Sequence, residues 1–282
     1  MTGIKLKILL FKIIPKSALS MIFGWLTLVP LPEGIMTPLI SWYSKKYGVI
    51  LEEAVVPEGG FRNFNMFFTR ELKKNARKID RSAGSVVATT DSRADQFGNI
   101  TKERIIQAKG ITYSVKDLIP SPEADKFIGG KFITLYLSPG DYHRIHSPVD
   151  GKITGFFNIP GKLFTVQDFM VNNLPDLFSM NERLITYIKT KKGNVAVCKI
   201  GAFNVGKISL AYDDTVTNRL IGKRVEKTYT EDEFKPVKRG DEIGTFNLGS
   251  TVIILFEKGM INFSRLKQGQ KVKMGEKIGT LK

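Results

Sequence analysis

The sequence predicts an α+β fold, with a mostly antiparallel β body preceded by an N-terminal membrane-associated helical layer. After Arg81, short β-branched and apolar runs alternate with Gly, Asp, Asn and Pro, a pattern typical of strands joined by turns. Before that residue the apolar positions follow a helical pattern. We therefore divide the 282 residues into a helical membrane-association region at 1–80 and a β-rich domain at 81–282.

Within the second region, several runs have the composition of strands: Val86–Ala88, Phe132–Leu137, Lys152–Phe157 and Leu184–Lys189. One pattern occurs twice, at Val237–Phe246 and, 35 residues later, at Val272–Leu281. Each copy predicts a strand, a turn that contains glycine and a second strand. The repeat indicates two related β units that pack against each other.

The bulk composition restricts the partners. A net charge of +16 indicates a polyanionic partner, either nucleic acid or an anionic membrane surface. The hydrophobic fraction of 42% is ordinary for a folded protein. The single cysteine, Cys198, excludes an internal disulfide framework and a metal site built from several cysteines.

The N-terminal segment favours a membrane over nucleic acid. Residues 4–31 are apolar but interrupted by lysines, and the longest run without charge, residues 17–32, has 16 residues. A spanning helix needs roughly 20 apolar residues. The lysines, with Trp25 as an anchor, therefore indicate helices that lie in the headgroup region. A signal peptide is the rival interpretation, although Pro15 interrupts the run and no cleavage motif follows; an ordinary helical cap on the core stays open.

The pair Gly249-Ser250 precedes the predicted strand Thr251–Phe256. Gly249 has no Cβ, so a neighbouring hydroxyl can approach its carbonyl closely. Ser250 Oγ is then placed to attack the carbonyl carbon of Gly249 and to turn the amide into an ester, if a base takes its proton. Taken alone, such a pair more often just opens a strand, because Gly-Ser is common in turns.

Both histidines of the chain, His143 and His146, lie three residues apart in one loop after a predicted strand. Imidazole titrates near neutral pH, which suits general acid or base chemistry. Zinc is the first alternative, but it normally needs three or four protein ligands. Asp141 or Asp150 would have to complete such a set.

A carboxylate is expected to orient one imidazole. Asp91 follows the predicted strand Val86–Ala88 and is our candidate, while Asp95 is a competitor that the residues themselves do not exclude. Either side chain would also suit a simple role in capping a turn.

In order and spacing, these motifs resemble phosphatidylserine decarboxylase of the membrane-associated bacterial and mitochondrial type. The resemblance runs from about Phe61 to the C-terminus. The motifs that carry it are Phe67-Phe-Thr-Arg-Glu-Leu, Asp91 with Gly98 and Ile100, Tyr142-His-Arg-Ile-His-Ser-Pro, Pro160-Gly-Lys-Leu-Phe, Asn181-Glu-Arg, Gly201-Ala-Phe-Asn-Val-Gly206 and Phe246-Asn-Leu-Gly-Ser-Thr251.

The resemblance implies a self-processing proenzyme, with residues 81–282 as its catalytic domain. Cleavage between Gly249 and Ser250 would give a large chain, 1–249, and a small chain, 250–282. Ser250 would become a pyruvoyl group, the only cofactor expected. Through a Schiff base to that group, the enzyme would convert phosphatidylserine to phosphatidylethanolamine and CO2 in phospholipid biosynthesis.

The resemblance also implies roles for the site residues. His146 would be the base for Ser250, Asp91 would orient His146, and His143 would lie beside the substrate and assist protonation after CO2 leaves. The family usually has glycine after the aspartate, whereas this chain has Ser92. This difference bears on the local turn and on the orientation of the Asp91 side chain.

The expected partners are phosphatidylserine, an anionic membrane surface, the two chains of one proenzyme and a second copy in a homodimer. Basic clusters at 73–78, 189–192 and 219–224 would help to hold the enzyme on anionic lipid. We expect a peripheral location on the cell membrane, at the cytoplasmic face of the inner membrane if the source is bacterial. The alternatives are a zinc-dependent envelope hydrolase that uses His143 and His146, and a basic nucleic-acid-binding protein.

Overall fold

The longer helices lie at the start of the chain. The computed structural model describes residues 3, 8, 9, 11, 13, 15–203, 207–217, 222–247 and 251–282. Helix α1 spans Lys16–Leu26, α2 spans Glu33–Tyr47 and α3 spans Phe64–Phe68. Gly48, with a φ of 72°, supplies the left-handed residue that ends α2. The side chain of Asn63 accepts a hydrogen bond from the Met66 N–H and so begins α3.

The other helical segments have three to six residues each. They are the α-helical turns α4 (Val115–Leu118), α5 (Asp168–Val171) and α6 (Leu177–Met180), and the 3₁₀ segments Leu51–Glu53 and Pro122–Phe127.

Strands are the main regular structure among the described residues after residue 84. In order they are β1 (Ser85–Val87), β2 (Ser92–Asn99), β3 (Arg104–Ala108), β4 (Ile111–Ser114), β5 (Lys131–Tyr136), β6 (Arg144–His146), β7 (Gly151–Ile159), β8 (Arg183–Thr190), β9 (Gly193–Ile200), β10 (Lys207–Leu210), β11 (Val225–Thr228), β12 (Lys235–Val237), β13 (Glu242–Asn247), β14 (Thr251–Phe256), β15 (Ile261–Phe263), β16 (Gln270–Val272) and β17 (Lys277–Leu281). The described strands pair antiparallel throughout. The prediction of an α+β fold with a mostly antiparallel β body is confirmed.

The largest sheet places β14 at its centre. Its nine strands run in the order β11-β7-β8-β9-β14-β5-β2-β16, with β12 also paired to β7. Val252 and Ile254 of β14 belong to one hydrophobic cluster, and Ile253 and Leu255 belong to another. Burial on both faces explains why this strand has a continuous apolar sequence rather than an alternating one.

The first residue of β14 marks one end of this sheet, which we call the Thr251 end. There Thr251 pairs with Ile200 on one side and with Tyr136 on the other. The turn between β8 and β9 lies at the opposite end. Because a strand rises about 3.3 Å per residue, the two ends are roughly 20 Å apart.

Helix α2 docks at the Thr251 end through the turn that follows β5. Tyr43 Oη donates a hydrogen bond to the carbonyl of Pro139, 3.0 Å away. A Cβ on Gly140 would lie 2.2 Å from the carbonyl oxygen of Tyr47, so only glycine allows this approach. Helix α2 therefore holds the turn that leads into residues 142–146, which carry both histidines. We call these residues the histidine loop, although the last three form β6.

The two copies of the sequence repeat have the same local structure and make matching contacts. Each has the predicted strand, turn and strand: β12 and β13 in the first copy, β16 and β17 in the second. Gly240 and Gly275 each have a φ of 87° and each lie against Ile79. Gly240 N–H donates to the Ser147 carbonyl, and Gly275 N–H donates to the Ala88 carbonyl. The repeat thus anchors two matching segments of the chain.

Lys199 of β9 is wholly buried, and its Nζ donates a 2.5 Å hydrogen bond to Thr186 Oγ1. Burial lowers the pKa of Lys199 to about 7. The unfolded chain holds this proton up to about pH 10.4. Between about pH 7 and pH 10 the unfolded state therefore binds more protons, so folded stability rises with pH across that window.

We predict that Lys199→Met stabilises the protein near pH 7, because methionine keeps the aliphatic volume and removes the buried amine. The gain should shrink as the pH approaches 10, because the wild type becomes more stable. Thermal melts at pH 7, 8, 9 and 10 test this, with Lys191→Met as the control, since Lys191 is exposed in the turn after β8. Equal melting shifts for Lys199→Met at every pH would contradict it.

Candidate active site

His146 is held at both ring nitrogens. Its Nδ1 lies 2.8 Å from the carbonyl oxygen of Gly240, and its Nε2 lies 3.1 Å from the hydroxyl of Tyr142. A carbonyl only accepts hydrogen bonds, so Nδ1 carries the proton. In a neutral ring Nε2 then has the lone pair, and the Tyr142 hydroxyl donates to it. Burial lowers the pKa of His146, which keeps the ring neutral near pH 7.

His143 is also held in one tautomer but keeps a free nitrogen. Its Nδ1 donates to the Asp141 carbonyl at 2.7 Å, and the ring of Phe68 covers it with centroids 4.1 Å apart. Its Nε2 is buried and has no hydrogen-bond partner among the described residues. Burial lowers the pKa of His143 to about 3. The site therefore presents a buried, unpaired acceptor, which a bound molecule can use.

Asp91 is bound elsewhere than expected. Its carboxylate accepts hydrogen bonds from Arg77 at 2.8 and 2.5 Å and from the Met274 N–H at 2.9 Å. The pairing of the Asp91 carboxylate with His146 that the resemblance implies is not the one in this structure. The backbone nevertheless brings the two segments together, because His146 N–H donates to the Thr89 carbonyl at 2.8 Å.

The bonds of Asp91 match those of Asp150 in the other half of the repeat. Asp150 accepts from the Arg239 N–H at 2.9 Å and pairs with the Arg239 guanidinium. Arg239 stands 35 residues before Met274, the repeat distance. Asp91 therefore caps the second repeat turn, which is the alternative role that the sequence allowed. A role of Asp91 in catalysis stays a prediction.

Asp95, the competing carboxylate, lies in a separate ionic cluster. It pairs with Arg93 at 2.5 Å, and Arg93 also binds Asp168. Burial raises the pKa of Asp95. The structure gives Asp95 no contact with either histidine among the described hydrogen bonds.

Ser92 causes no strain where the family usually has glycine. It is the first residue of β2 and is not among the residues with a positive φ. Its hydroxyl donates to the Thr90 carbonyl at 3.3 Å. The left-handed conformation that would need glycine does not occur at this position, so serine is compatible with the local fold.

Gly249 and Ser250 lie outside the described residues, but both flanks of the pair are described. Upstream, Phe246 N–H donates to the His143 carbonyl at 3.0 Å. Asn65 Nδ2 donates to Asn247 Oδ1 at 3.3 Å. Downstream, Thr251 starts β14 at the centre of the sheet. The histidine loop and the helical layer thus meet the segment that enters the predicted cleavage site.

The alternative of a zinc site has no ligand cluster to support it. Within the described residues, no group of three or more His, Cys, Asp or Glu side chains is arranged to hold a metal ion. His143 and His146 instead bind separate backbone carbonyls, those of Asp141 and Gly240.

Sequence reasoning missed three contributors to this site. Tyr142 lies inside the histidine motif but is notable only once its hydroxyl is seen at His146. Gly240 acts through its carbonyl, which has no residue signature, although it occupies the glycine of the repeat turn. Arg70, in the motif that begins at Phe67, is buried beside the histidine loop and donates to the Gly140 carbonyl at 3.0 Å.

Comparison with known proteins agrees with the motifs. The family model for phosphatidylserine decarboxylase matches residues 64–280. A phosphatidylserine decarboxylase proenzyme of Myxococcus xanthus (strain DK1622) is 40% identical over 274 residues, covering 96% of this chain and 97% of the relative. Proenzymes of the same name from Alteromonas mediterranea and Alcanivorax borkumensis are 39% and 38% identical, covering 98% of this chain in both cases and 86% and 96% of the relatives. This chain therefore belongs to the phosphatidylserine decarboxylase family.

Proposed function

We propose that this protein is a self-processing carboxy-lyase that converts phosphatidylserine to phosphatidylethanolamine and CO2. Family membership supports the activity, since its relatives are named phosphatidylserine decarboxylase proenzymes. The observation that carries the mechanism is the neutral His146, whose Nε2 is the acceptor nitrogen and now binds the Tyr142 hydroxyl. The same segment contacts the upstream flank of the Gly249-Ser250 pair, because Phe246 N–H donates to the His143 carbonyl.

Self-processing would begin at Ser250. Its hydroxyl would give a proton to Nε2 of His146 and attack the carbonyl carbon of Gly249, which converts the amide to an ester. β-Elimination would then release the chain that ends at Gly249. Hydrolysis of the dehydroalanine left behind, with loss of ammonia, would leave a pyruvoyl group at the start of residues 250–282. The Tyr142 hydroxyl would have to yield its place at Nε2 to Ser250.

The residues around this position suit such a group. The pyruvoyl group would directly precede Thr251, the first residue of β14, which lies between β9 and β5. The unpaired Nε2 of His143 is buried close to the upstream flank. A pyruvoyl carbonyl supplies the electron sink that loss of CO2 requires. Phe68 over His143 excludes water from this side. With a pKa of about 3, His143 would hold no extra proton at rest. As the carbanion forms, it would take a proton from water at Nε2, its only open nitrogen, and pass it to the product carbon.

The helical layer would rest on the membrane. Fourteen of the sixteen large hydrophobic side chains that are exposed in the described residues lie before residue 57. Trp25 of α1 is 67% exposed and Trp42 of α2 is 55% exposed. Exposed apolar patches of this kind mark interaction surfaces. No helix in the described part of the chain is long and apolar enough to cross a bilayer.

These observations support a peripheral attachment to a membrane. The cytoplasmic face of the inner membrane, if the source is bacterial, stays a prediction. Because α2 docks at the Thr251 end, the membrane would lie near the site that receives the lipid. The basic residues at 189–192 are at the opposite end of the sheet, so we leave them out of the proposed membrane surface. Association into a homodimer stays a prediction.

We predict that the purified protein consists of two chains, 1–249 and 250–282, with the second lighter than its serine form by one ammonia. Ser250→Ala and His146→Ala should each stay whole, because they lack the nucleophile or the base. Intact mass under denaturing conditions tests this, together with release of CO2 from phosphatidylserine. A single unmodified wild-type chain after incubation with membranes would overturn the proposed function.

The same measurement separates the chemical and structural roles of Asp91. If its carboxylate stabilises the protonated His146, Asp91→Asn should stay whole. Arg77→Gln, the matched control, frees the same carboxylate and should still be processed, with a lower melting temperature. Processing of both variants would show that Asp91 only caps the turn at Met274.

Membrane attachment should depend on the exposed tryptophans. We predict that Trp25→Ser with Trp42→Ser lowers the fraction of protein that sediments with vesicles of phosphatidylserine and phosphatidylethanolamine at least severalfold, since each tryptophan buries a large apolar area. Processing should be unchanged. Substitution of Ile106 by serine is the control, because that side chain is exposed in the β body. Equal sedimentation of all forms would contradict the surface.

A further inference from the structure

Arg70 is a buried cation that forms no ion pair among the described residues, although the charges of Asp91 and Asp141 act on it from beyond ion-pair distance. Arg70 is 6% exposed, and within the described part of the chain its guanidinium makes one hydrogen bond, from Nη2 to the carbonyl of Gly140. Nε is buried and has no partner among the described residues. Nη1 has no partner there either, and it is not among the buried unpaired atoms. Most of the N–H donors of this guanidinium are therefore unused.

Other arginines near the site are neutralised. Ion pairs to carboxylates are formed by Arg77 with Glu53 and Asp91, by Arg144 with Glu71 and Glu242, and by Arg239 with Asp150. Arg70 has no such pair in the described part of the chain. A buried charge without a partner is costly, and such a charge is usually kept when it binds something. The structure thus has a ready position for an anion.

The Arg70 guanidinium lies between helix α3 and the turn before the histidine loop. On one side, the Arg70 guanidinium stacks over Phe67 of α3, 5.6 Å from the ring centroid. On the other side it reaches Gly140, three residues before His143. The charge of Arg70 contributes, after burial, to lowering the pKa of His143. A lipid that enters from the membrane would place its phosphate beside the Arg70 guanidinium. Its acyl chains would point outward and its serine would point toward the histidines.

The substrate brings two anionic groups, a carboxylate and a phosphodiester. The carboxylate loses its charge as CO2 departs, so a guanidinium bound to it would stabilise the ground state and slow the reaction. The phosphodiester keeps its charge throughout, so binding it lowers KM without opposing the chemistry. Guanidinium geometry also suits phosphate oxygens.

We propose that Arg70 binds the phosphodiester of the substrate lipid and so fixes the depth at which the serine headgroup reaches His143. This inference rests on the proposed function and adds a residue that determines specificity. The buried, unpaired Nε2 of His143 then faces the headgroup rather than the phosphate.

Arg70→Gln should raise KM for dispersed dioctanoyl phosphatidylserine by about 10- to 100-fold, the range expected for loss of charge-assisted hydrogen bonds. kcat should stay near the wild-type value. Arg70→Lys keeps the charge and should recover part of the affinity. Arg62→Gln is the matched control, because Arg62 is exposed in the same segment. Intact mass and thermal melts establish that each variant is processed and folded.

Glycerophosphoethanolamine distinguishes the two anionic groups, because it carries the phosphodiester and no carboxylate. Its inhibition constant should rise in Arg70→Gln by about the same factor as KM. An unchanged inhibition constant with a raised KM would assign Arg70 to the carboxylate and overturn the proposal. So would a fall in kcat at constant KM, or failure of both Arg70 variants to be processed. An inactive wild type would instead refute the proposed function itself.

Discussion

The hydrogen bond from His146 Nδ1 to the Gly240 carbonyl is the constraint on which the site depends. It fixes the proton on Nδ1 and leaves the lone pair on Nε2, and burial keeps the ring neutral. A backbone carbonyl therefore does the orienting for which we expected a carboxylate. Gly240 is itself held in place, because its N–H donates a hydrogen bond to the carbonyl of Ser147, the residue next to His146. His146 and the carbonyl that orients it thus belong to one closed unit of hydrogen bonds.

The repeat explains how the fold produces that unit. Two turns of similar sequence pack around Ile79 and bind two matching chain segments, one ending at Asp91 and the other at Asp150. In the first repeat, the turn carbonyl binds His146; in the second, the carbonyl of Gly275 accepts from the Asp80 N–H. The same architecture therefore orients the imidazole of His146 in one copy and tethers the N-terminal region in the other. The helical layer adds a second restraint through Gly140 and Arg70.

The sequence predicted what depends on local pattern and on motif. The strands, the repeat and the antiparallel β body followed from alternation and turn residues, and β14 followed from its apolar run. The clustering of both histidines and the family followed from motif order. The partner of His146 could not be predicted, because any residue can supply a carbonyl and only the tertiary fold selects Gly240. The ion pair of Asp91 with Arg77 joins two segments that have no shared pattern. Arg70 lies within the motif that begins at Phe67, but only its surroundings in the described residues reveal that it forms no ion pair there.

The most direct test of this account is the protonation of the two imidazoles. With only His143 and His146 in the chain, a Ser250→Ala protein labelled with ¹⁵N-histidine gives a spectrum of two rings, and His143→Gln assigns them. The account predicts that His146 is neutral at pH 7, with a protonated Nδ1 and an unprotonated Nε2 that shifts when Tyr142 is replaced by Phe. A His146 ring protonated at Nε2, or charged at pH 7, would contradict the account.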